Sequence, residues 1–379
     1  MKKIIFFIFT VIGLNSMLAQ VEQNIYELNS MENLLTKDVK GILDINLTDK
    51  KVVFLGEAEH HIGSDFLAKT EFVKYLVKEH NYKDIAFESD FFGLYFEHNK
   101  RNIYPHWSLS VQCKELFEFL EENDVTLWGF DNQFLFRYTY ENFTLKFTKF
   151  LDESLIDYNV NFIASVDKVI ENGAGLKKEM KDKEVEYLIS ELDLLLNNDK
   201  VKNNLLWHQI IESFKSVTLR YTTHSKKSKG IPIRDRQMAK NLDFLVKTMP
   251  DKKFIVWLAN AHMSKLDYEF MNGKTMGYQF IKLNPEISYH IAVSSIYMPY
   301  RKDRWIEECS NDNENLLHFL PSTKKNYFID SNQIISESPE YAEKKYEGMF
   351  NLEEKTTNWF KHFDALVFIS KGEKVKYPE

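Results

Sequence analysis

The hydrophobic positions of the chain follow two periods. Six short, nearly continuous apolar runs predict buried strands, at residues 51–56, 84–88, 126–130, 253–259, 289–297 and 364–370. After the first run, apolar residues recur at helical spacing over 66–79, and Ser64 and Asp65 before them are typical of a helix N-cap. This alternation of strand and helix predicts parallel strands joined by crossover helices.

The middle of the chain has a different pattern. Residues 142–219 are rich in Glu, Lys and Leu, and apolar residues recur there at helical spacing. We therefore expect a helical insertion, or cap, over about 140–230, with a loop at 222–230 and a further helix at 234–247. The predicted class is α/β, with a mainly parallel central sheet flanked by helices and built from both ends of the chain.

The first residues predict a targeting segment. Lys2 and Lys3 precede an apolar run at 4–14 and a region of small residues at 15–19. This is the layout of a secretory signal peptide over 1–19, too short for a stable membrane span, with an uncleaved anchor as the alternative. We expect a periplasmic or secreted protein whose α/β domain comprises residues 20–379.

Composition and charge narrow the function classes. With 44% hydrophobic and 15% aromatic residues, the chain is expected to fold around a large core. The formal charge of −7 becomes −9 without Lys2 and Lys3, so no nucleic-acid partner is expected. We also expect a monomer with no membrane contact after signal removal. Cys113 and Cys309 lack metal-binding spacing, and we expect two separate buried thiols, with a disulfide as the alternative.

The first candidate for chemistry is the segment from Gly56 to His61, which comprises Gly56, Glu57, Ala58, Glu59, His60 and His61. It follows a predicted strand, and the carboxyl ends of parallel strands form the ligand-binding edge of a sheet. A histidine beside carboxylates can be held in one tautomer and act as a general base. The alternative is a polar loop whose charges are solvated.

Four further segments place ionisable residues near the ends of predicted elements. Glu88 ends an apolar strand, which is unfavourable unless a raised pKa or a hydrogen bond to a histidine offsets its burial. Asp131 repeats this arrangement, and we expect it either to support the residues of the site or to be structural. His262 follows another strand, and Arg234 could bind a carboxylate or stabilise an oxyanion. The convergence of several such groups on one sheet edge predicts a site.

Several common motifs are absent from the sequence. There is no Gly-x-Ser-x-Gly elbow, no P-loop, no dinucleotide-binding fingerprint and no His-Glu-x-x-His helix. Serine-nucleophile and nucleotide chemistry are therefore disfavoured.

Taken together, these segments resemble the erythromycin esterase family over roughly residues 50–300. The matching motifs stand in family order: Gly56-Glu57-x-x-His60, Phe87-Glu88, Phe119-Leu120 to Asn123, Gly129-Phe130-Asp131, Arg234-Asp235-x-x-Met238-Ala239-x-Asn241, Trp257 to Asn260-Ala261-His262, and Gly277-Tyr278. The resemblance implies hydrolysis without a serine nucleophile. In that scheme His60 activates water, Glu57 and Glu88 orient it and manage protons, and Arg234 and His262 bind or polarise the acyl group.

The sequence also departs from the family pattern. Glu59 and His61 flank His60 where the family usually has a hydroxyl residue and glycine, Ala259 replaces a histidine, and Lys69 stands where an arginine is common. We therefore expect a substrate other than a macrolide.

The predicted function is hydrolysis of a small-molecule ester or lactone. The predicted catalytic residues are Glu57, His60, Glu88 and His262, and the predicted substrate-binding residues are Arg234, Asn260, Lys69 and His61. No metal ligand or cofactor is assigned. Two alternatives stay open, since the wider superfamily is similar to Tiki metalloproteases and haem-binding ChaN lipoproteins: a metal-dependent hydrolase that uses His60, His262 and a carboxylate, and a non-catalytic periplasmic ligand- or haem-binding protein.

Overall fold

A single eight-stranded sheet forms the centre of the fold. The computed structural model describes residues 21, 23–222, 227–267, 269, 273–350 and 356–378. The strands are β1 (Ile25–Leu28), β2 (Val52–Glu57), β3 (Asp84–Asp90), β4 (Thr126–Asp131), β5 (Phe254–Ala259), β6 (Ser288–Tyr297), β7 (Asn326–Asp330) and β8 (Ala365–Lys371). They are ordered β1-β7-β8-β6-β2-β5-β3-β4 across the sheet.

Six consecutive strands of this sheet, from β8 to β4, run parallel, and β7 is antiparallel to both β1 and β8. The predicted α/β class and mainly parallel sheet are confirmed. All six predicted strands occur, each within two residues of its predicted ends. The sequence analysis missed β1 and β7, because they are short strands at one edge of the sheet and carry little periodic signal.

Helices cover both faces of the sheet. They are α1 (Lys37–Asn46), α2 (Gly63–His80), α3 (Phe91–Glu97), α4 (Pro105–Ser108), α5 (Lys114–Glu122), α6 (Arg137–Glu153), α7 (Val160–Asn172), α8 (Leu176–Glu179), α9 (Asp182–Asn197), α10 (Asp199–Lys202), α11 (Leu205–Thr222), α12 (Lys227–Thr248), α13 (Asn260–Met263), α14 (Met276–Leu283), α15 (Asp303–Asn311), α16 (Ser331–Glu337) and α17 (Trp359–His362). Short 3₁₀ turns lie at Met31–Asn33, Lys100–Asn102, Gly173–Gly175, Leu316–Phe319 and Pro339–Ala342.

The predicted helical insertion corresponds to α6 through α11, which run with short connections between β4 and α12. Two details of the prediction are wrong. The expected loop at 222–230 is helical from Lys227 onward, while residues 223–226 lie outside the described residues, as does the predicted signal peptide. Ser64 and Asp65 do not cap α2; its N-cap is Ile62, so both residues lie in the first turn.

The core lies in two layers because successive strand residues point to opposite faces of the sheet. In β2, Val52 and Phe54 join a cluster with the inserted helices, whereas Val53 and Leu55 join a cluster with α1, α2 and α5. Cys309 belongs to the first cluster and Cys113 to the second, so the prediction of two separate buried thiols is confirmed. Among the described residues, no helix combines the length and apolarity needed to cross a bilayer.

Candidate active site

Ionisable side chains gather at the carboxyl edge of four neighbouring parallel strands, β2, β5, β3 and β4. Glu57 is the last residue of β2, Glu88 lies near the end of β3, Asp131 ends β4, and His262 lies in α13 directly after β5. Three of these side chains are at most 2% exposed, and His262 is 7% exposed. The ladder pairs Glu57 with Ala259, which sets the two loops beside each other.

His60 is held in one orientation by Glu57. Its Nδ1 lies 2.9 Å from Glu57 Oε1, and its side chain is 35% exposed, whereas Glu57 is fully buried. The other Glu57 oxygen accepts a hydrogen bond from Lys69 Nζ, which also lies 3.3 Å from the Leu258 carbonyl oxygen. Because a carboxylate can only accept, Nδ1 carries the proton and Nε2 keeps its lone pair.

A second carboxyl group, Asp65, holds the loop that carries His60. Asp65 accepts a hydrogen bond from the Ala58 backbone N–H at 3.1 Å and another from Ser295 Oγ at 2.6 Å. Burial raises the pKa of Asp65 to about 7, although both hydrogen bonds lower it. The residue expected as a helix cap is therefore a buried support for the turn after β2.

Arg234 connects three of the four strand ends. Its Nε and Nη2 donate to the two Asp131 oxygens at 3.0 and 2.7 Å, and Nη2 also donates to Glu88 Oε1 at 2.6 Å. Its Nη1 faces His262 Nε2 at 3.1 Å. A guanidinium has five N–H groups, so one hydrogen on Nη1 has no partner in the described part of the chain. That N–H is available to an oxygen of a substrate.

Glu88 is an ionised carboxylate in this environment. Burial alone raises its pKa, but the charges of His262, Arg234 and His60 lower the pKa of Glu88 well below its ordinary value. Its second oxygen accepts a hydrogen bond from the Ala259 backbone N–H at 3.1 Å. The β3–β5 ladder ends at Phe87, the residue before Glu88. The sequence-based option of a raised pKa is therefore wrong. Glu88 orients its partners and cannot donate a proton near neutral pH.

His262 lies between two carboxylates. Its Nδ1 is 2.9 Å from Asp235 Oδ1, and its Nε2 is 3.5 Å from Glu88 Oε1. Burial lowers the pKa of His262, but Asp235 and Glu88 outweigh it and the net direction is upward. In the neutral ring, Nδ1 donates to Asp235 and Nε2 accepts from Arg234; a proton added to Nε2 would be directed toward Glu88.

Comparison with known proteins identifies the family of this chain. The family model for erythromycin esterase matches residues 77–283, which is more than half of the sequence. The chain belongs to the erythromycin esterase family. It is also 25% identical over 291 residues to YbfO of Bacillus subtilis (strain 168), whose name describes it as a hydrolase without stating a substrate. That match covers 65% of this chain and 64% of YbfO, so the chain spans less than two thirds of that relative.

Three solved structures share the fold. A protein from Bacillus cereus has a TM-score of 0.76 at 18% identity, with 96% of this chain and 99% of that chain covered. A succinoglycan biosynthesis protein has a TM-score of 0.74 at 13% identity, covering 95% and 98%. A mutant of the erythromycin esterase EreC in its open conformation has a TM-score of 0.63 at 16% identity, covering 92% and 98%. At these identities the likeness concerns the fold alone.

Three of the predicted substrate-binding residues are not hydrogen-bond partners of Arg234 in the described part of the chain. Lys69 is fully buried against Glu57, with its Nζ 3.8 Å from the centre of the Trp257 ring. Asn260 is also fully buried and donates to the Val293 carbonyl oxygen at 2.9 Å. His61 is exposed, and its carbonyl oxygen accepts the Val375 N–H. Of this predicted set, Arg234 contacts Glu88, Asp131 and His262, and Lys69 contacts Glu57.

A close contact between β2 and the segment after β5 requires glycine at position 56. Gly56 lies inside β2, and a Cβ there would approach Asn260 Oδ1 to 2.1 Å and the Met263 sulfur to 2.7 Å. Only glycine lets the segment after β5 pack this closely on β2.

Asp235, His106 and Trp107 were not predicted as site residues. Asp235 binds His262, while Asp131 binds Arg234 through both oxygens and so supports the site, as one of its two expected roles. His106 and Trp107, on the short helix α4, pack against the His60 ring. The close spacing of Tyr104, His106 and Trp107, between α3 and α5, was the available sequence signal.

The metal-dependent alternative has no matching arrangement in the ranges that the structure describes, where no three His, Cys, Asp or Glu side chains are grouped as metal ligands. Both nitrogens of His262 already face protein partners, Asp235 and Arg234. His60 Nδ1 is likewise directed at Glu57.

The buried position of Lys69 leads to a prediction that distinguishes a role in holding Glu57 from a role in binding substrate. Lys69→Met removes the cation that holds Glu57, so His60 loses its fixed orientation. We expect kcat to fall about 10-fold with KM nearly unchanged, the pattern of a lost transition-state interaction. Steady-state kinetics on an ester that the protein hydrolyses measure both constants.

A matched control for Lys69 is Lys74→Met on the same helix, since Lys74 is 21% exposed and pairs with Glu71 and Glu115. It should retain wild-type kinetics. A rise in KM at constant kcat for Lys69→Met would instead support the substrate contact expected from sequence.

Proposed function

We propose that the protein hydrolyses a small-molecule ester or lactone with water activated by His60. The observation that carries this proposal is the contact between His60 Nδ1 and Glu57 Oε1 at 2.9 Å, on a ring that is 35% exposed beside the Arg234 cluster. It leaves Nε2 of His60 free to accept a proton from water. The family membership supports a hydrolase, and the name of YbfO agrees with it.

The reaction proceeds in two balanced steps. His60 Nε2 takes a proton from water while the water oxygen bonds to the acyl carbon, and the carbonyl becomes an oxyanion. The oxyanion then re-forms the carbonyl and expels the alkoxide, which receives the proton from His60. Glu57 stabilises the His60 cation formed between these steps, because its carboxylate is already hydrogen-bonded to Nδ1.

Arg234 supplies a hydrogen-bond donor for the oxyanion. Four of its five N–H groups are directed at Asp131, Glu88 and His262, which fixes the guanidinium plane. The remaining Nη1 hydrogen can donate to the developing oxyanion, and a fixed donor in a water-poor site stabilises such charge strongly. Glu88, Asp131 and Asp235 act by positioning Arg234 and His262.

The substrate and location are further parts of the proposal. The residues around His60 and at position 259 differ from the family pattern, which supports a substrate other than a macrolide. The basic, apolar and small-residue order of residues 1–19 supports export to the periplasm or the medium. We propose that the exported protein acts as a monomer without a cofactor.

The direct test is a panel of aryl esters, alkyl esters and lactones, with acid release measured for purified protein before and after treatment with a chelator. We expect turnover of at least one class and equal rates in both samples. Loss of turnover in the chelated sample, with recovery on adding a divalent metal, would favour the metal-dependent alternative. No turnover, together with one tightly retained ligand, would favour the binding protein.

A further inference from the structure

We propose that His106 and Tyr104 form, with His60, a column of three stacked rings that positions the His60 imidazole. The centroids of His60 and His106 are 4.6 Å apart with 27° between the planes. Those of His106 and Tyr104 are 5.5 Å apart with 13° between the planes. The inference rests on the proposed role of His60 as the base, and it adds His106 as a positioning residue.

The column is anchored by the short helix α4, which starts with Pro105. Trp107 is fully buried there, and its ring meets the His60 ring edge-on at 5.4 Å and 86°. Trp107 also packs against Phe87 of β3, 6.2 Å away. His60 is thus confined on one face by His106 and on another side by Trp107, while Glu57 holds its Nδ1. A ring packed on two sides has few alternative rotamers.

The ring next to His60 is uncharged at neutral pH. Burial lowers the pKa of His106 to about 4, and the neighbouring His60 lowers it as well. Nε2 of His106 is buried and has no hydrogen-bond partner among the described residues, which is consistent with a neutral imidazole. A neutral aromatic face stabilises an adjacent cation, the form that His60 takes after accepting a proton.

Titratable groups from three structural elements lie near His60. Glu57 approaches from β2, Glu88 from β3 and His106 from α4, with His61 next to it in the chain. Two of these groups are carboxylates, and His106 adds a positive charge beside His60 only when it is itself protonated. Replacing the neutral ring with a permanent cation should therefore make His60 harder to protonate without breaking the column.

Three variants at position 106 test this inference. His106→Phe keeps a flat neutral ring, and we expect kcat within about 3-fold of wild type. His106→Ala removes the ring, and kcat should fall about 10-fold at unchanged KM because His60 is no longer confined. His106→Arg keeps a planar group but adds a positive charge. The acid limb of the pH–rate profile should therefore shift to lower pH by about one unit.

A readout independent of catalysis is the titration of the His60 ring protons by NMR in wild type, His106→Phe and His106→Arg. The midpoint should move to lower pH only in the arginine variant. An unchanged midpoint in His106→Arg, together with wild-type kcat in a folded His106→Ala protein, would contradict the proposed positioning of His60 by His106. Absence of ester turnover in wild type would count against the proposed function. The NMR titration would still test whether the ring at position 106 lies against His60.

Discussion

Replacing His60 with alanine is expected to lower kcat for ester hydrolysis at least about 100-fold, the scale on which a general base contributes. The imidazole is the one basic group in the described site whose lone pair faces outward while its other nitrogen is fixed by a carboxylate. His262 cannot replace it, because both of its nitrogens already face Asp235 and Arg234. Initial rates on the best substrate of the ester panel give the ratio.

The matched control for His60→Ala is His80→Ala. His80 is the last residue of α2, which starts beside His60 and runs to the opposite edge of the sheet, and it pairs there with Asp44. That substitution should leave kcat at the wild-type value. Equal rates for wild type and His60→Ala, with native circular dichroism, would remove His60 from the reaction and leave the proposed mechanism without a base.

The fold and the location of the site were accessible from sequence because both depend on local periodicity. Apolar runs of strand length predicted the central strands, and parallel pairing then placed Glu57, Glu88, Asp131 and the residue after β5 at one edge. The structure confirms the sheet class, and its topology puts β2, β5, β3 and β4 side by side. Strands β1 and β7 were not predicted, because four or five residues give no clear period.

The partners within the site could not be predicted in the same way, because they are set by tertiary contacts. Arg234 binds Asp131 across 103 residues and Glu88 across 146 residues of sequence. No local pattern states that Lys69, on the first turns of α2, points under the sheet edge toward Glu57. The ring of His106 reaches His60 only because α4 folds back over the end of β2. These pairings depend on the tertiary fold and cannot be inferred from the local sequence.

The electrostatics of the cluster show why Arg234 matters most for stability. It is 10% exposed, and it faces two carboxylates that are buried almost completely. Burial alone raises the pKa values of Asp131 and Glu88; for Asp131 the Arg234 guanidinium lowers it, and for Glu88 the charges of His262, Arg234 and His60 do so. Both groups are therefore ionised in the folded protein; Asp131 depends mainly on Arg234, and Glu88 depends on Arg234 together with the two histidines.

Arg234→Met should accordingly lower the free energy of unfolding at pH 7 by about 3–5 kcal/mol, because it leaves buried charge without its partner. The pH dependence has a defined sign. In wild type the depressed pKa values add stability above about pH 4, which is lost as pH falls through the folded values. In the variant, Asp131 loses the main charge that opposes its burial, so its pKa should rise above that of the unfolded chain. The deficit therefore grows as pH rises and shrinks toward about pH 4.

Urea denaturation at pH 5 and pH 7.5 measures this difference, with Arg304→Met as the matched control. Arg304 pairs with Glu308 on a helix surface and is 89% exposed, so its removal should change stability by less than about 1 kcal/mol at either pH. Adding Asp131→Asn to Arg234→Met removes one uncompensated charge and should recover part of the loss. An Arg234→Met deficit that is equal at both pH values, or no larger than that of Arg304→Met, would show that the guanidinium does not hold these carboxylates in their ionised form.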